Sequence, residues 1–261
     1  MEKIFKRLDF AISISEQITS HFDKKDIEEV SMFCMCILDR LNFSSEGLKL
    51  LLNKFTTNTK VEYSSGIIIR ACLLDYLIVL NAMEVYGKNS GHPQKIYLEL
   101  KKYCLMMLCD SVRNTMTYFD SLENQIPKST LENMYNSLVA MNEKCFESYK
   151  YDGSRPEIKI KASKSPKSLF NTLMTSKDLK GYQSVYEAYL FYSKYDHFGH
   201  MSYSLSRIKP LEQLARIDKA IATFSRVLLF TTIILETLYG SDSFLKIKRE
   251  EIEAFINASE K

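Results

Sequence analysis

The stretch Gly66–Tyr86, G-I-I-I-R-A-C-L-L-D-Y-L-I-V-L-N-A-M-E-V-Y, is apolar on nearly every side of a helix and yet carries Arg70, Asp75 and Glu84. A second such run, Ile217–Tyr239, carries Arg226 and Glu236. Charges at mid-membrane are expensive, and the uninterrupted apolar runs fall short of the roughly 18 residues that a span needs. Both stretches therefore predict central helices of a soluble bundle, near residues 63–86 and 210–239, with no membrane contact. Only 8 Gly and 5 Pro punctuate 261 residues, which favours long helices joined by few turns. No period-2 pattern runs longer than I-K-I-K at Ile158–Lys161, so the expected fold is all-α: an irregular multi-helix bundle of about nine to ten helices in a single domain, 1–261.

The punctuation places the helices. Phe5, Leu8, Ile12, Ile18 and Phe22 give the first an apolar face at 3–4 spacing. Asp23 or Asp26 can cap a second that runs to Leu41, and Ser44 or Ser45 a short third over Leu48–Phe55. Gly87 suits a left-handed stop to the apolar helix from Tyr63. Pro93 opens a helix that continues to about Leu122, and Ser129 with Glu132 forms a capping box for one that ends near Tyr149. Pro166 starts a short helix. Pro210 opens a long one that ends at Gly240, and a charged helix, Phe244–Ala258, follows.

Residues 150–168 differ in composition, with six basic residues against two acidic, which leaves the rest of the chain with 29 basic against 30 acidic. The net charge of +3 therefore resides in this stretch, which reads as an exposed basic connector. Lys159, Lys161 and Lys164 are its candidate contacts to a nucleic-acid backbone, although no aromatic residues alternate with them as in a strand-binding groove. The six cysteines sit in apolar patterns with no C-x-x-C, and no secretory leader is visible, so they are expected as reduced core residues of a cytoplasmic protein.

Chemistry concentrates in Tyr182–Ser202, which holds five of the 16 tyrosines and two of the 4 histidines. At about 100° per residue, Tyr182, Tyr186, Tyr189, Ser193, Asp196 and His200 share one stripe, with His197 to its side. Buried phenols need partners, so the stripe predicts a hydrogen-bonded polar cluster against another element. Arg70 is the matching anomaly, since a guanidinium on a core helix must be paired. Asp75 lies about 140° round the same helix and is an awkward partner for it. His197 and His200, three apart beside Asp196, lack the nearby Glu or the four-residue spacing usual for helical metal ligands, so no metal or other cofactor is expected. No P-loop, G-x-G-x-x-G, G-x-S-x-G or H-E-x-x-H occurs.

The order I-I-I-R70-A-C-L-L-D75, then S-P-K-S-L-F, then Y186, Y189, Y192, S193 and H197 resembles a family of helical bacterial proteins known only as a domain of unknown function. That family combines a core Arg helix with a later Tyr/Ser/His helix, and the resemblance covers roughly residues 63–202. Asp75 stands where the family has a Glu nearer the Arg, and Phe198-Gly199 replaces a His-Pro turn. The resemblance implies a site at Arg70, Asp75, Ser193 and His197, and implies no reaction. A more distant likeness is to helical ribonucleases of the HEPN group, found in toxin and phage-defence systems. No Arg here is followed by His at that group's spacing.

Two readings follow. In the first, Arg70, Tyr189, Ser193, Asp196 and His197 form a structural cluster in an accessory protein that binds a protein partner or a second copy of itself. In the second, Arg70 and His197 serve a metal-independent ribonuclease as phosphate cation and proton-transfer group, with RNA as the substrate.

Overall fold

The computed structural model describes residues 1–23, 29–88, 92–102, 105, 128–142, 146–151, 156–160, 165–177, 179–196, 209–240 and 242–259. Its helices are α1 (Glu2–Phe22), α2 (Glu29–Leu52), α3 (Val61–Lys88), α4 (93–102), α5 (Lys128–Met141), α6 (Pro166–Thr175), α7 (Gln183–Tyr192), α8 (Pro210–Ile221), α9 (Phe224–Tyr239) and α10 (Ser243–Ser259). An antiparallel pair, β1 (Phe146–Tyr151) and β2 (Pro156–Ile160), is the only sheet among the described residues. The fold is thus the expected all-α multi-helix bundle, with one hairpin added.

The chain forms two compact units. The first comprises Met1–Pro93 and Pro166–Lys261, the second Gln94–Ser165. In the first, α3 is central and packs against α2, α6, α7, α8 and α9. Its interior face is built from Ile69, Cys72, Leu73, Tyr76, Leu77, Val79 and Leu80, all buried. The core extends through Leu8, Ile14 and Ile18 of α1 and Leu228, Ile234 and Leu235 of α9, as their helical spacing predicts. Ion pairs tie the layers together: Arg7 to Asp218, and Arg249 to Glu236 at 2.8 Å. In the second unit, Ile96 and Leu100 of α4 and Tyr135 of α5 are buried.

Several boundaries differ from the sequence expectation, each for a local reason. Ser44 and Ser45 begin no new helix, because Leu41, Ser45, Leu48 and Leu52 continue one buried stripe and packing outweighs the capping preference of serine. Gly87 lies within α3, and the left-handed stop is instead Gly240, with φ of 66°, after α9. The helix expected to reach Tyr149 ends at Met141, and β1 and β2 occupy part of the basic connector. Pro210–Tyr239 is two helices, divided at Ala222–Thr223, where the Thr223 hydroxyl donates to the carbonyl of Ala220 at 2.6 Å. Cys36 is exposed, whereas Cys34 and Cys72 are buried as expected. Val61–Lys88 and the Pro210–Tyr239 stretch are long and apolar enough to cross a membrane by length and composition alone; most of the first and half of the second are already buried against other helices.

Candidate functional site

The aromatic segment before and within α7 seats itself on α3 because Gly66 leaves room for it. A Cβ added at Gly66 would stand 3.0 Å from the rings of both Tyr192 and Tyr195. Those two rings stack at 5.9 Å, and Tyr63 meets Tyr195 edge-on at 5.3 Å. On the neighbouring face Tyr186 stacks on Phe170 of α6 at 4.3 Å and lies 6.1 Å from Tyr189. Three arginines from three helices lie over rings of this segment. Arg70 of α3 is 5.4 Å from the Tyr189 ring, Arg216 of α8 is 5.0 Å from Phe191, and Arg226 of α9 is 5.6 Å from Tyr182. Cations on ring faces keep their charge while giving up part of their water.

The structure brings Arg70 and Tyr189 together: an Arg70 Nη also donates a long hydrogen bond, 3.5 Å, to the Tyr189 hydroxyl. Arg70 is half-buried, a milder position than the fully buried guanidinium the sequence suggested. Asp75 goes elsewhere. It faces α2, where Arg40 Nε lies 3.3 Å from its carboxylate. Burial, opposed by Arg40, pushes the Asp75 carboxyl up to about 6. Ser193 is occupied locally, its hydroxyl donating to the carbonyl of Leu190 at 2.7 Å. There the α-helix gives way to a 3₁₀ turn, Ser193–Asp196, whose tighter winding ends the predicted stripe. The side chain of Asp196, and His197 and His200 entirely, lie outside the described residues, as do Lys161 and Lys164. Lys159 belongs to β2, opposite Ser148.

A polar network that the sequence did not reveal lies beside these residues. Glu62, in the first turn of α3, is buried and accepts a 3.0 Å hydrogen bond from Arg216, 154 positions away. Burial raises the Glu62 carboxyl above its ordinary range and Arg216 opposes the rise. Burial and the neighbouring Glu62 raise the phenols of Tyr192 and Tyr195 as well. The hydroxyls of Ser65, Tyr192 and Tyr195, the second oxygen of Glu62 and Nε of Arg216 are buried without a formed hydrogen bond. Tyr195 interacts with the Glu62 carboxylate, but outside hydrogen-bond geometry. In the sequence Glu62 is an ordinary acid just before a long apolar run, and nothing there marks Arg216 as its partner.

Arg216 also reaches a half-open cavity of about 330 Å³ on the other face of α7, lined by α7, α8 and α9. Val185, Ala188 and Phe191 give it an apolar wall. Arg216, Lys219 and Arg226 supply cations, against Glu187 as the acid of the lining. The division of Pro210–Tyr239 at Ala222–Thr223 contributes directly, since both residues line the cavity. Neither histidine nor cysteine lines it among the described residues, and among them no group of three His, Cys, Asp or Glu side chains is placed to hold a metal ion. The lining can therefore hold and orient a ligand. Comparison with protein-family models, with curated proteins and with solved structures finds no match for this chain.

Proposed function

We propose that this chain is a cytoplasmic bacterial accessory protein that works by binding, and that its ligand sits in the cavity between α7, α8 and α9. The observation that carries this reading is the division of labour on α7. Tyr186 and Tyr189 are committed to packing with Phe170 and Arg70, while Val185, Ala188 and Phe191 of the same helix wall a cavity lined also by cations. Concave, mostly apolar clefts with a few convergent polar groups are the usual form of small-molecule sites. Arg70 then acts as a brace between α3 and α7, and its loss weakens the fold without touching the ligand.

The test is a ligand-detected NMR screen with a mixed library of neutral, cationic and anionic fragments. Hits are expected for the native chain and should vanish in Ala188→Leu, which fills the cavity within a helix-compatible side chain. Hits that survive Ala188→Leu, or an empty screen, would overturn the reading. The ribonuclease reading makes the contrary prediction: RNA cleavage by the pure protein, abolished by Arg70→Met and by His197→Ala with folding intact.

A further inference from the structure

We propose that the outer stripe of α2 is a dimer interface, on which a second copy of this chain lies parallel and in register around a two-fold axis. The inner face of α2 packs into the core through Cys34, Leu38, Leu41, Leu48 and Leu52. An outer face is expected to be polar. Here Met32, Phe43 and Leu50 are 53%, 67% and 72% exposed, and Cys36 is exposed beside them. At about 100° per residue these four fall within about 40° of one another, in a line about 27 Å long. Apolar residues scattered singly over a surface need no explanation, but a line at four- and seven-residue steps is the seam of paired helices.

The charges beside the seam select the partner and its direction. Asp39 and Glu46 flank it on one side and Arg40 on the other, all three exposed. Asp39 is held above its ordinary range by partial burial and by another acid, Asp23, and makes no ion pair among the described residues. Arg40 reaches Asp75 through Nε, but that carboxylate lies buried beneath while the guanidinium stays half exposed, so an approaching surface meets the cation. Two copies laid antiparallel would set the acidic flank of one against the acidic flank of the other. Laid parallel, each acidic flank meets the Arg40 flank of the other copy, with Arg40 and the partner's Asp39 offset by one residue, about 1.5 Å along the axis. Gly47, on the Arg40 side, leaves room for the partner's Glu46. Cys36 then stands beside the partner's Cys36. A seam this short is at the small end of interface sizes, so association in the micromolar range is expected. No residue of α2 lines the cavity, so the pairing is independent of a ligand there.

Sedimentation velocity of the full chain between about 1 and 100 µM reads the mass. A reversible dimer is expected, weakened tenfold or more by Phe43→Asp and by Asp39→Lys. Both side chains are exposed, so the circular dichroism of each variant should match that of the native chain. Diamide should link the native chain through Cys36 into a disulfide-bonded dimer, and should fail to do so in Cys36→Ser and in Phe43→Asp. Glu46→Gln, which relieves an antiparallel pair and does little to a parallel one, should leave the affinity unchanged. A chain that stays monomeric across the range would overturn the inference, whether the stripe is bare or, as flotation with phosphatidylcholine vesicles would show, taken by a lipid surface. A dimer indifferent to Phe43→Asp would place the interface elsewhere and overturn it as well. A dimer tightened by Glu46→Gln and not linked through Cys36 would overturn the parallel arrangement.

Discussion

Replacing Asp75 by Asn should stabilise this protein at neutral pH, although Asp75 is part of an ion pair. The carboxyl is 6% exposed and its partner Arg40 is about half exposed, so the acid bears the desolvation and the base supplies only a screened attraction. Burial outweighs Arg40, and the carboxyl rises from an ordinary value of 3.8 to about 6. Between those two values the unfolded chain has released a proton that the folded chain retains. Stability attributable to Asp75 is therefore full below about pH 4 and is lost as pH rises through about 6. Two pH units at about 1.4 kcal/mol each put the cost of ionised Asp75 on the order of 3 kcal/mol at neutral pH. Asn, neutral like the protonated acid, removes that cost, from which the attraction of the half-exposed Arg40 has already been subtracted. The assay is urea denaturation of both proteins between about pH 4 and pH 8, read as the difference in unfolding free energy so that all other groups cancel. The difference should be near zero at the acid end and favour Asp75→Asn by roughly 3 kcal/mol at the other. A difference that is independent of pH, or one that increasingly favours the native chain as pH rises, would refute the reasoning and make the Arg40 pair a net stabiliser.

Four further outcomes are expected. Gly66→Ala should destabilise by about 1 to 2 kcal/mol, since two rings stand 3.0 Å from the new methyl and outweigh the gain of about 1 kcal/mol in helix propensity; a stabilised variant would contradict this. Arg70→Met should lower stability by about 1 kcal/mol in urea titration and leave probe affinity in the cavity unchanged, because its contact is to Tyr189. Tyr192→Phe removes a buried hydroxyl that makes no formed hydrogen bond, so stability should hold or rise by about 1 kcal/mol; a loss above about 2 kcal/mol would mean that the hydroxyl is satisfied. Glu62→Gln should change stability by less than about 1 kcal/mol at neutral pH, because relief of a buried carboxyl held above its ordinary range opposes loss of the Arg216 ion pair; a loss above about 3 kcal/mol would mean that the pair outweighs the burial.

What could be read from the chain was whatever repeats at helical spacing. The buried face of α1 follows from apolar residues three and four apart, the central place of α3 from a run that is apolar on nearly every side, and Pro166, Pro210 and Gly240 mark helix ends. What could not be read depended on competition between local and tertiary terms. Ser44 and Ser45 look like caps, but Ser45 is buried in a stripe that continues to Leu52. Ala222 and Thr223 carry no breaker, so the division between α8 and α9 left no mark in the sequence. The hairpin left a partial mark. Asp152-Gly153, a turn dipeptide by sequence, separates F-E-S-Y-K-Y from P-E-I-K-I, but the first run breaks its alternation at Glu147-Ser148, where the register shifts, so no long period of two marks the pair. At the site, Arg70 was legible as an anomaly and Tyr189 as a phenol needing a partner, which is why they could be matched across 119 residues. Glu62 and Arg216 were not, because each looks like an ordinary charge near a helix end until the fold buries one against the other.

Three arginines from three helices converge on the rings of one short segment, Tyr182–Phe191. A guanidinium inside a protein is ordinarily neutralised by a carboxylate, and the pair then presents no net charge to a ligand. Arg216 is such a case, paired with Glu62, and Arg70, Arg216 and Arg226 are each also laid on a ring of the segment Tyr182–Phe191, a contact that offsets part of their desolvation. The dense aromatic content of this segment is therefore more than filling for the space that Gly66 leaves. It allows three helices to bring cations to one short helix, of which Arg216 and Arg226 line the cavity and Arg70 holds the opposite face. Substituting Tyr182 or Phe191 by an aliphatic residue of similar size would leave most of its hydrophobic contribution in place and remove its contact to the arginine above it.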